Sequence, residues 1–306
     1  MTTATPGTRR AEPAILRYSA FSSDPAGGNP AGVVLDATGL DDAAMLRIAA
    51  AIGYSETAFA VPRDTAGEYD VRYFSPLVEV PFCGHATVAT AVALGRTGTL
   101  RFHTAAGPVE IDTDGVTATL TSVPTSSEPA SDEDVAAALA ALRWDAADLD
   151  PRYPAHWAFG GARHLVVAVR DRARLAALDY DFDALGDLLR ARGAVTAHLV
   201  HQRDEDTFDA RDPFPVGGVV EDAATGAAAA AFGGYLRLLG LVTAPRVLTV
   251  HQGVDMGRPS TLTVRVSPDD PRVAVTGAAV EIPPVEIPPV EIPPVETPAE
   301  TAGREV

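Results

Sequence analysis

A single cysteine, Cys83, is all that the 306 residues contain. That scarcity excludes an internal disulfide and any multi-cysteine metal site, and it fits a reducing compartment. Long apolar runs are missing too. None approaches the roughly 20 residues that a membrane-spanning helix needs, and Arg9 and Arg10 near the start are not followed by the apolar core of a signal peptide. Basic residues are outnumbered, 24 against 41 acidic, for a formal net charge of −17. Such a chain repels a phosphate backbone instead of releasing its counterions, so nucleic acid is not an expected partner. These absences lead us to expect a cytoplasmic protein with no membrane or nucleic-acid partner. What is present, 46% apolar residues, is enough for one large domain or two lobes of ordinary size.

Both ends look like extensions. Residues 1–13 are small, polar and interrupted by proline, the composition of an unfolded leader. Val-Glu-Ile-Pro-Pro repeats from Val280 to Pro294, and from Glu281 onward six glutamates face one arginine, Arg304. Proline at that density forbids helix and central strand, so 281–306 is read as an extended tail, either a solvated extension or a spacer.

Between the ends, short strands alternate with two or three helices. Ile15 to Phe21 and Ala31 to Leu35 read as strands around a Gly-Gly-Asn-Pro turn. Asp41 and Asp42 can cap a helix whose apolar face is Met45, Leu46, Ala49 and Ile52, and Gly53 stops it. Glu56 to Val61 and Tyr69 to Phe74 follow as strands, Val71 and Phe74 being set apart from Asp70 and Arg72. The two halves echo each other. Tyr69-Asp70-Val71-Arg72 leads to Cys83-Gly84-His85 and a small-residue helix, and Phe208-Asp209-Ala210-Arg211 leads to Thr225-Gly226-Ala227 and an alanine-rich helix ending near Leu239. The match slips by three residues, so chance similarity stays open. If the echo is real, two lobes face each other and each aims a helix N-terminus at the cleft.

Paired helix N-termini offer unsatisfied N–H groups and partial positive charge, an anion site suited to a small carboxylate. Gly84 and Gly226 would let a ligand approach the backbone, or would merely permit turns. Glu56, between a stopped helix and an apolar strand, is placed to take and return a proton if partly desolvated; the alternative is a surface glutamate. His85 and Asp222 precede the two helices, where each can assist, or be a turn histidine and a helix cap. Asn29 can offer an amide to a ligand or simply build its turn. Cys83 can serve as a nucleophile or acid/base thiol at a helix start, but the matching stretch Asp222-Ala223-Ala224-Thr225-Gly226 holds no second thiol. His198 and His201 are the one close histidine pair and, in a strand, point to opposite faces. Gly27 to Gly32 lacks both dinucleotide-loop spacing and a Walker lysine. Neither a metal nor a cofactor is expected.

Six stretches in order resemble the PhzF-like family of phenazine biosynthesis proteins: Gly27-Gly28-Asn29-Pro30-Ala31-Gly32, Tyr54-Ser55-Glu56-Thr57-Ala58-Phe59, Val71-Arg72-Tyr73-Phe74-Ser75-Pro76, Pro81-Phe82-Cys83-Gly84-His85-Ala86-Thr87, Glu221-Asp222-Ala223-Ala224-Thr225-Gly226, and Gln252-Gly253 with Met256-Gly257-Arg258-Pro259-Ser260. They span about Arg17 to Val275. The resemblance implies a diaminopimelate-epimerase-like fold, α/β (α+β), with two similar lobes, each a curved, mostly antiparallel sheet around a central helix. The lobes would be 14–123, completed by a strand from about 268–280, and 124–267. It further implies a cofactor-free homodimer that isomerises a small cyclic or unsaturated carboxylate in secondary-metabolite biosynthesis, of the trans-2,3-dihydro-3-hydroxyanthranilate type. Glu56 matches the family's general acid/base, with His85 and Asp222 assisting. Asn29, Cys83, Gly84, Thr225, Gly226 and Ala227 would border the substrate. One departure is that Ala227-Ala228-Ala229 stands where the family usually has Ser-Ala-His, which removes polar groups from that segment. Two other readings are a cysteine-dependent racemase or epimerase and a non-catalytic binding protein of the same fold. Truncation after Val280 is expected to leave turnover intact, a large loss showing that the tail takes part.

Overall fold

The computed structural model describes residues 13–283. The first part of the chain runs β1 (Leu16–Ala20), β2 (Asn29–Val34), α1 (Asp42–Ile52), β3 (Thr57–Pro62), β4 (Glu68–Phe74), β5 (Glu79–Val80), α2 (Gly84–Ala93), β6 (Gly98–Thr104), β7 (Gly107–Thr113) and β8 (Thr117–Thr121). Then come β9 (Ser126–Pro129), α3 (Asp132–Leu142), β10 (His156–Phe159), β11 (Arg163–Ala168), α4 (Arg172–Ala176), α5 (Phe182–Ala191), β12 (Thr196–Gln202), β13 (Thr207–Phe214), β14 (Val219–Asp222), α6 (Gly226–Leu238), β15 (Arg246–Gln252), β16 (Ser260–Val266) and β17 (Ala274–Glu281). This is an α+β fold. Its ladders are antiparallel except β2 with β3, β4 with β6, β11 with β12 and β13 with β15. Among the described residues no helix is long and apolar enough to cross a membrane.

Pairing closes a circuit from β1 through β2, β3, β4, β6, β7, β8 and β17 back to β1. Helix α2 packs on β1, β2, β3, β7, β8 and β17, and its residues from His85 to Val92 are buried. Only small side chains let a helix sit within a sheet that curves so tightly, which is why Ala86, Ala89, Ala91 and Thr87 recur there. Helix α6 packs in the same way against β9, β10, β11, β12, β16 and β17, with Ala228 to Leu236 buried. Strand β17 pairs with β8 along one edge and with β16 and then β1 along the other.

The echo between the halves has a structural basis. Strands β4 and β13 each pair in parallel across a central helix, with β6 and β15. Each also forms an antiparallel hairpin, with β5 and β14, where Tyr73 meets Val80 and Asp212 meets Asp222. Arg72 grips Glu79 with two charge-assisted bonds of 2.7 and 2.6 Å, and Arg211 grips Glu221 with two of 3.0 and 2.6 Å. Glu79 and Glu221 each precede their helix-starting glycine by five residues, so the three-residue slip lies wholly in the hairpin turns, where the β13–β14 register shifts between Pro213 and Phe214.

Several boundaries differ from the sequence reading. Helix α1 is capped by Asp41, whose side chain accepts from Ala44 N–H at 2.7 Å, and it stops at Gly53 with φ of 72°, as read. Strand β1 ends before Phe21, which adopts φ of 63°. Phe74 does not share a face with Val71. Tyr69, Val71 and Tyr73 line one core, whereas Phe74 faces the other way and is buried beneath α1 with Phe59, 5.6 Å between ring centroids. Helices α3, α4 and α5 were not foreseen, although Ser131 caps α3 by accepting from Asp134 N–H at 3.1 Å. Strand β17 runs through Glu281, and Ile282 N–H donates to Arg17 C=O at 2.7 Å, so a cut after Val280 would clip a paired strand. The tail beyond 283 lies outside the described residues, as does the leader before 13.

The Phe21 ring rests on Gly277 of β17, where an added Cβ would lie 2.2 Å from Phe21 Cδ1. Gly277→Ala is therefore expected to destabilise the protein by roughly 1–3 kcal/mol through overpacking. A lower urea midpoint, partly restored by adding Phe21→Leu, checks it; an unchanged midpoint would refute the close fit.

Candidate active site

Glu56 lies between the end of α1 and the start of β3. Its backbone is held because Gly32 N–H donates to Glu56 C=O at 3.2 Å, beside the parallel pairing of Gly32 with Thr57. The side chain is 19% exposed, neither in bulk solvent nor sealed away. Glu56 Oε2 lies 3.4 Å from His85 Nε2 and accepts from Cys83 Sγ at 3.6 Å. Cys83 Sγ is 3.4 Å from His85 Nδ1, and Ser55 Oγ is 3.4 Å from His85 Nε2. Burial, reinforced by the Glu56 charge, pushes the Cys83 thiol well above its usual range. It is a protonated donor here rather than a thiolate, unlike the reactive cysteine that a helix start by itself would favour.

On the facing side, Asp222 ends β14. Its Oδ1 accepts from Asn29 Nδ2 at 2.7 Å and its Oδ2 from the Thr225 hydroxyl at 2.6 Å. Asp222 therefore does not act as the helix cap that its position allowed; α6 starts from Thr225 with no side-chain cap. Asn29 donates as well to Ala224 C=O at 3.2 Å, so its amide hydrogens serve the protein rather than a ligand. His85 is the second residue of α2, not a residue before it, and α2 likewise starts with no side-chain cap. The two groups feel each other's charge: His85 and Glu56 both act on Asp222, and Asp222 acts on Cys83. Burial, the largest cause, lifts the Asp222 carboxyl from an ordinary 3.8 to about 6, opposed by His85 and the Thr225 hydroxyl and aided by Asp212 and Glu56.

Gly84 and Gly226 open the two central helices. Neither has a positive φ, so backbone conformation does not demand glycine at either position. Packing does not demand it either: a Cβ would come no closer than 4.0 Å to Phe82 at Gly84, and 3.4 Å to Phe21 at Gly226. Both glycines are half-buried, so the first turn of each central helix keeps some exposure. Ala227, in the first turn of α6, keeps some exposure, whereas Ala229 is fully buried in the core, so of the two altered positions only Ala227 borders open space.

Two site residues were missed, although both stand in quoted signatures. Gln252 is fully buried; its Nε2 donates to Asp222 C=O at 2.8 Å and to Thr225 Oγ1 at 3.0 Å, and its Oε1 accepts from Thr225 N–H at 3.0 Å. Arg258 donates to Gly28 C=O at 2.8 Å and to Gly27 C=O, fixing the turn that carries Asn29. Both act by contact across more than 25 residues, which sequence spacing does not display. The donor atoms of Glu56, Cys83 and His85 lie within 4.8 Å of one another, a spacing a cation can use. Their mutual hydrogen bonds account for the arrangement, and we assign no metal to it.

A sequence profile described as phenazine biosynthesis-like protein matches residues 18–283. An uncharacterized isomerase, YddE, of Escherichia coli O157:H7 is 34% identical over 286 residues, covering 88% of this chain and 96% of its own. The trans-2,3-dihydro-3-hydroxyanthranilate isomerase of Pseudomonas chlororaphis is 32% identical over 258 residues, covering 80% and 87%. A crystal structure of a PhzF-family phenazine biosynthesis protein from Bacillus anthracis superposes with a TM-score of 0.78 at 26% identity, covering 88% of this chain and 96% of that one.

The raised Asp222 carboxyl has a consequence for stability. The folded protein binds this proton more tightly than the unfolded chain, so the contribution is full below about pH 4 and is lost as pH rises through about 6. Asp222→Asn removes that dependence. Between pH 4 and pH 7 the variant is expected to gain on the wild type by at most about 3 kcal/mol in urea unfolding; a change of the opposite sign would refute the assignment.

Proposed function

The chain belongs to the phenazine biosynthesis-like protein family, and we propose that it is an isomerase moving a proton within a small cyclic or unsaturated carboxylate. Isomerases recur among its relatives, several of them named for trans-2,3-dihydro-3-hydroxyanthranilate. The observation that carries the reading is the Glu56 carboxylate, bonded by Cys83 and within 3.4 Å of His85, facing an Asp222 held by Asn29.

In this reading the substrate carboxylate lies against the N–H groups at Gly84 and Gly226, where the absence of side chains leaves room for it. Glu56 removes a proton from an sp³ carbon. The C–H electron pair enters the adjacent π system, and the proton returns from Glu56 to another carbon on the same face, so atoms and charge balance. His85 and Asp222 hold and orient polar groups as charge moves through the π system. We take the enzyme to be cofactor-free and homodimeric, with lobes of 14–123 plus β17 and 124–267; the strand ladders and central helices support that division. Ala227 in place of the usual serine points to a substrate that needs one fewer polar contact there.

A cysteine-dependent racemase is disfavoured by the protonated Cys83 and by Thr225, which starts α6 as Cys83 starts α2. With trans-2,3-dihydro-3-hydroxyanthranilate or a related dihydroaromatic carboxylate in deuterated water, Glu56→Gln is expected to lower kcat by about 10²–10⁴ and to end deuterium incorporation. Cys83→Ala is expected to stay within about tenfold of the wild type. Unchanged turnover in Glu56→Gln, or loss confined to Cys83→Ala, would overturn the assignment. Binding without exchange in the wild type would favour a non-catalytic role.

A further inference from the structure

A row of polar side chains crosses the second sheet into the site. His198 on β12 stands opposite Asp212 on β13, given that Leu199 pairs with Arg211, and Asp212 pairs in turn with Asp222 on β14. Residues directly opposite in antiparallel strands share a face, with Cβ atoms about 5 Å apart. His198 Nδ1 lies 2.6 Å from Asp212 Oδ1, and both residues are fully buried. His164 and Thr196 extend the row one strand further, 2.7 Å apart, and burial pushes His164 down to about 4.

These groups do not serve the core. Among the described residues, buried Asp212 Oδ2 and His198 Nε2 have no hydrogen-bond partner, and the Phe232 ring of α6 lies 5.4 Å from the His198 ring. Buried polar atoms without partners are costly, and apolar residues would fill the same volume at less cost. Such breaches of packing logic gather where function demands them.

Resting on the proton-transfer reading of the site, we propose that Asp212 and His198 are positioning residues for Asp222. Asp212, bonded to the His198 imidazole and directly opposite Asp222 in the ladder, sets a second carboxyl group beside Asp222, which can then carry a proton opposite Glu56. The groups facing Asp222 from the elements around it are Glu56, Cys83, His85, Asn29, Thr225, Gln252 and Asp212. Those facing Asp212 are His198, Asp222 and, one strand beyond, His164. Asp212 is the acidic residue of this set that lies directly opposite Asp222 in register.

The test is a carboxyl-carbon NMR titration of the full chain labelled at aspartate, with signals assigned by loss in Asp222→Asn and Asp212→Asn. Asp212→Asn is expected to lower the Asp222 midpoint by more than about 0.3 units, a smaller part of the rise than burial supplies. His198→Leu, which strips Asp212 of its donor, is expected to lower it as well. An Asp222 midpoint unmoved within about 0.3 units in either variant would overturn the proposal. Should Asp212→Asn fail to fold, His198→Leu decides, with the Asp222 signal still assigned by its loss in Asp222→Asn, and an unmoved Asp222 midpoint there would overturn it. None of these readouts needs turnover. An inactive wild type would sink the isomerase reading alone, and an active one with an unmoved Asp222 would sink this proposal alone.

Discussion

The bond from Asn29 Nδ2 to Asp222 Oδ1 joins residues 193 positions apart, and the candidate site depends on it. It ties β2 to β14, sets the aspartate opposite Glu56 and His85, and uses an amide that could otherwise have met a ligand. Other contacts reinforce it. Gln252 holds Asp222 and Thr225 from β15, and Arg258 holds the Gly27 and Gly28 carbonyls from the start of β16. A charge-assisted bond is worth more than a neutral one, and a buried carboxylate that lost its donor would carry its full desolvation penalty. The geometry of the candidate site is thus held by groups that are themselves held.

Repetition supplies the scaffold and divergence supplies the chemistry. Arg72 with Glu79 and Arg211 with Glu221 brace equivalent hairpins, each five residues before a helix-starting glycine. Beyond that brace the halves part. The common offset sets Cys83 against Thr225, His85 against Ala227 and Val80 against Asp222. One half therefore brings the thiol and imidazole beside Glu56, and the other brings the carboxylate with the raised proton affinity. Two similar frames thus carry chemically dissimilar groups to the candidate site.

Much of this was legible in sequence. Asp41 and Gly53 bracketed α1 because caps are local chemistry. The small-residue helices α2 and α6 were visible as alanine and glycine runs next to strands. Phe74 was misassigned because its outward face is covered by α1, and alternation along one strand does not report which element lies over each face. Helix α3 was overlooked despite its Ser131 cap, since alanine-rich segments give a weak apolar stripe. Cys83 changed character for a related reason: a helix start lowers a thiol's pKa, while burial beside Glu56 raises it further.

By itself, the amino-acid order determined which residues can donate, accept or carry a proton, and where α1 begins and ends. Those properties come from short-range sterics and hydrogen bonding within a few residues. Only the tertiary structure decided that Asn29 serves Asp222 and that Gln252 belongs to the site. It alone decided that neither packing nor backbone conformation demands glycine at Gly84 and Gly226, and that His198 and Asp212 stand in line with Asp222. Each of these depends on strand register and on which face of a sheet is buried, quantities set by pairing between segments remote in the chain.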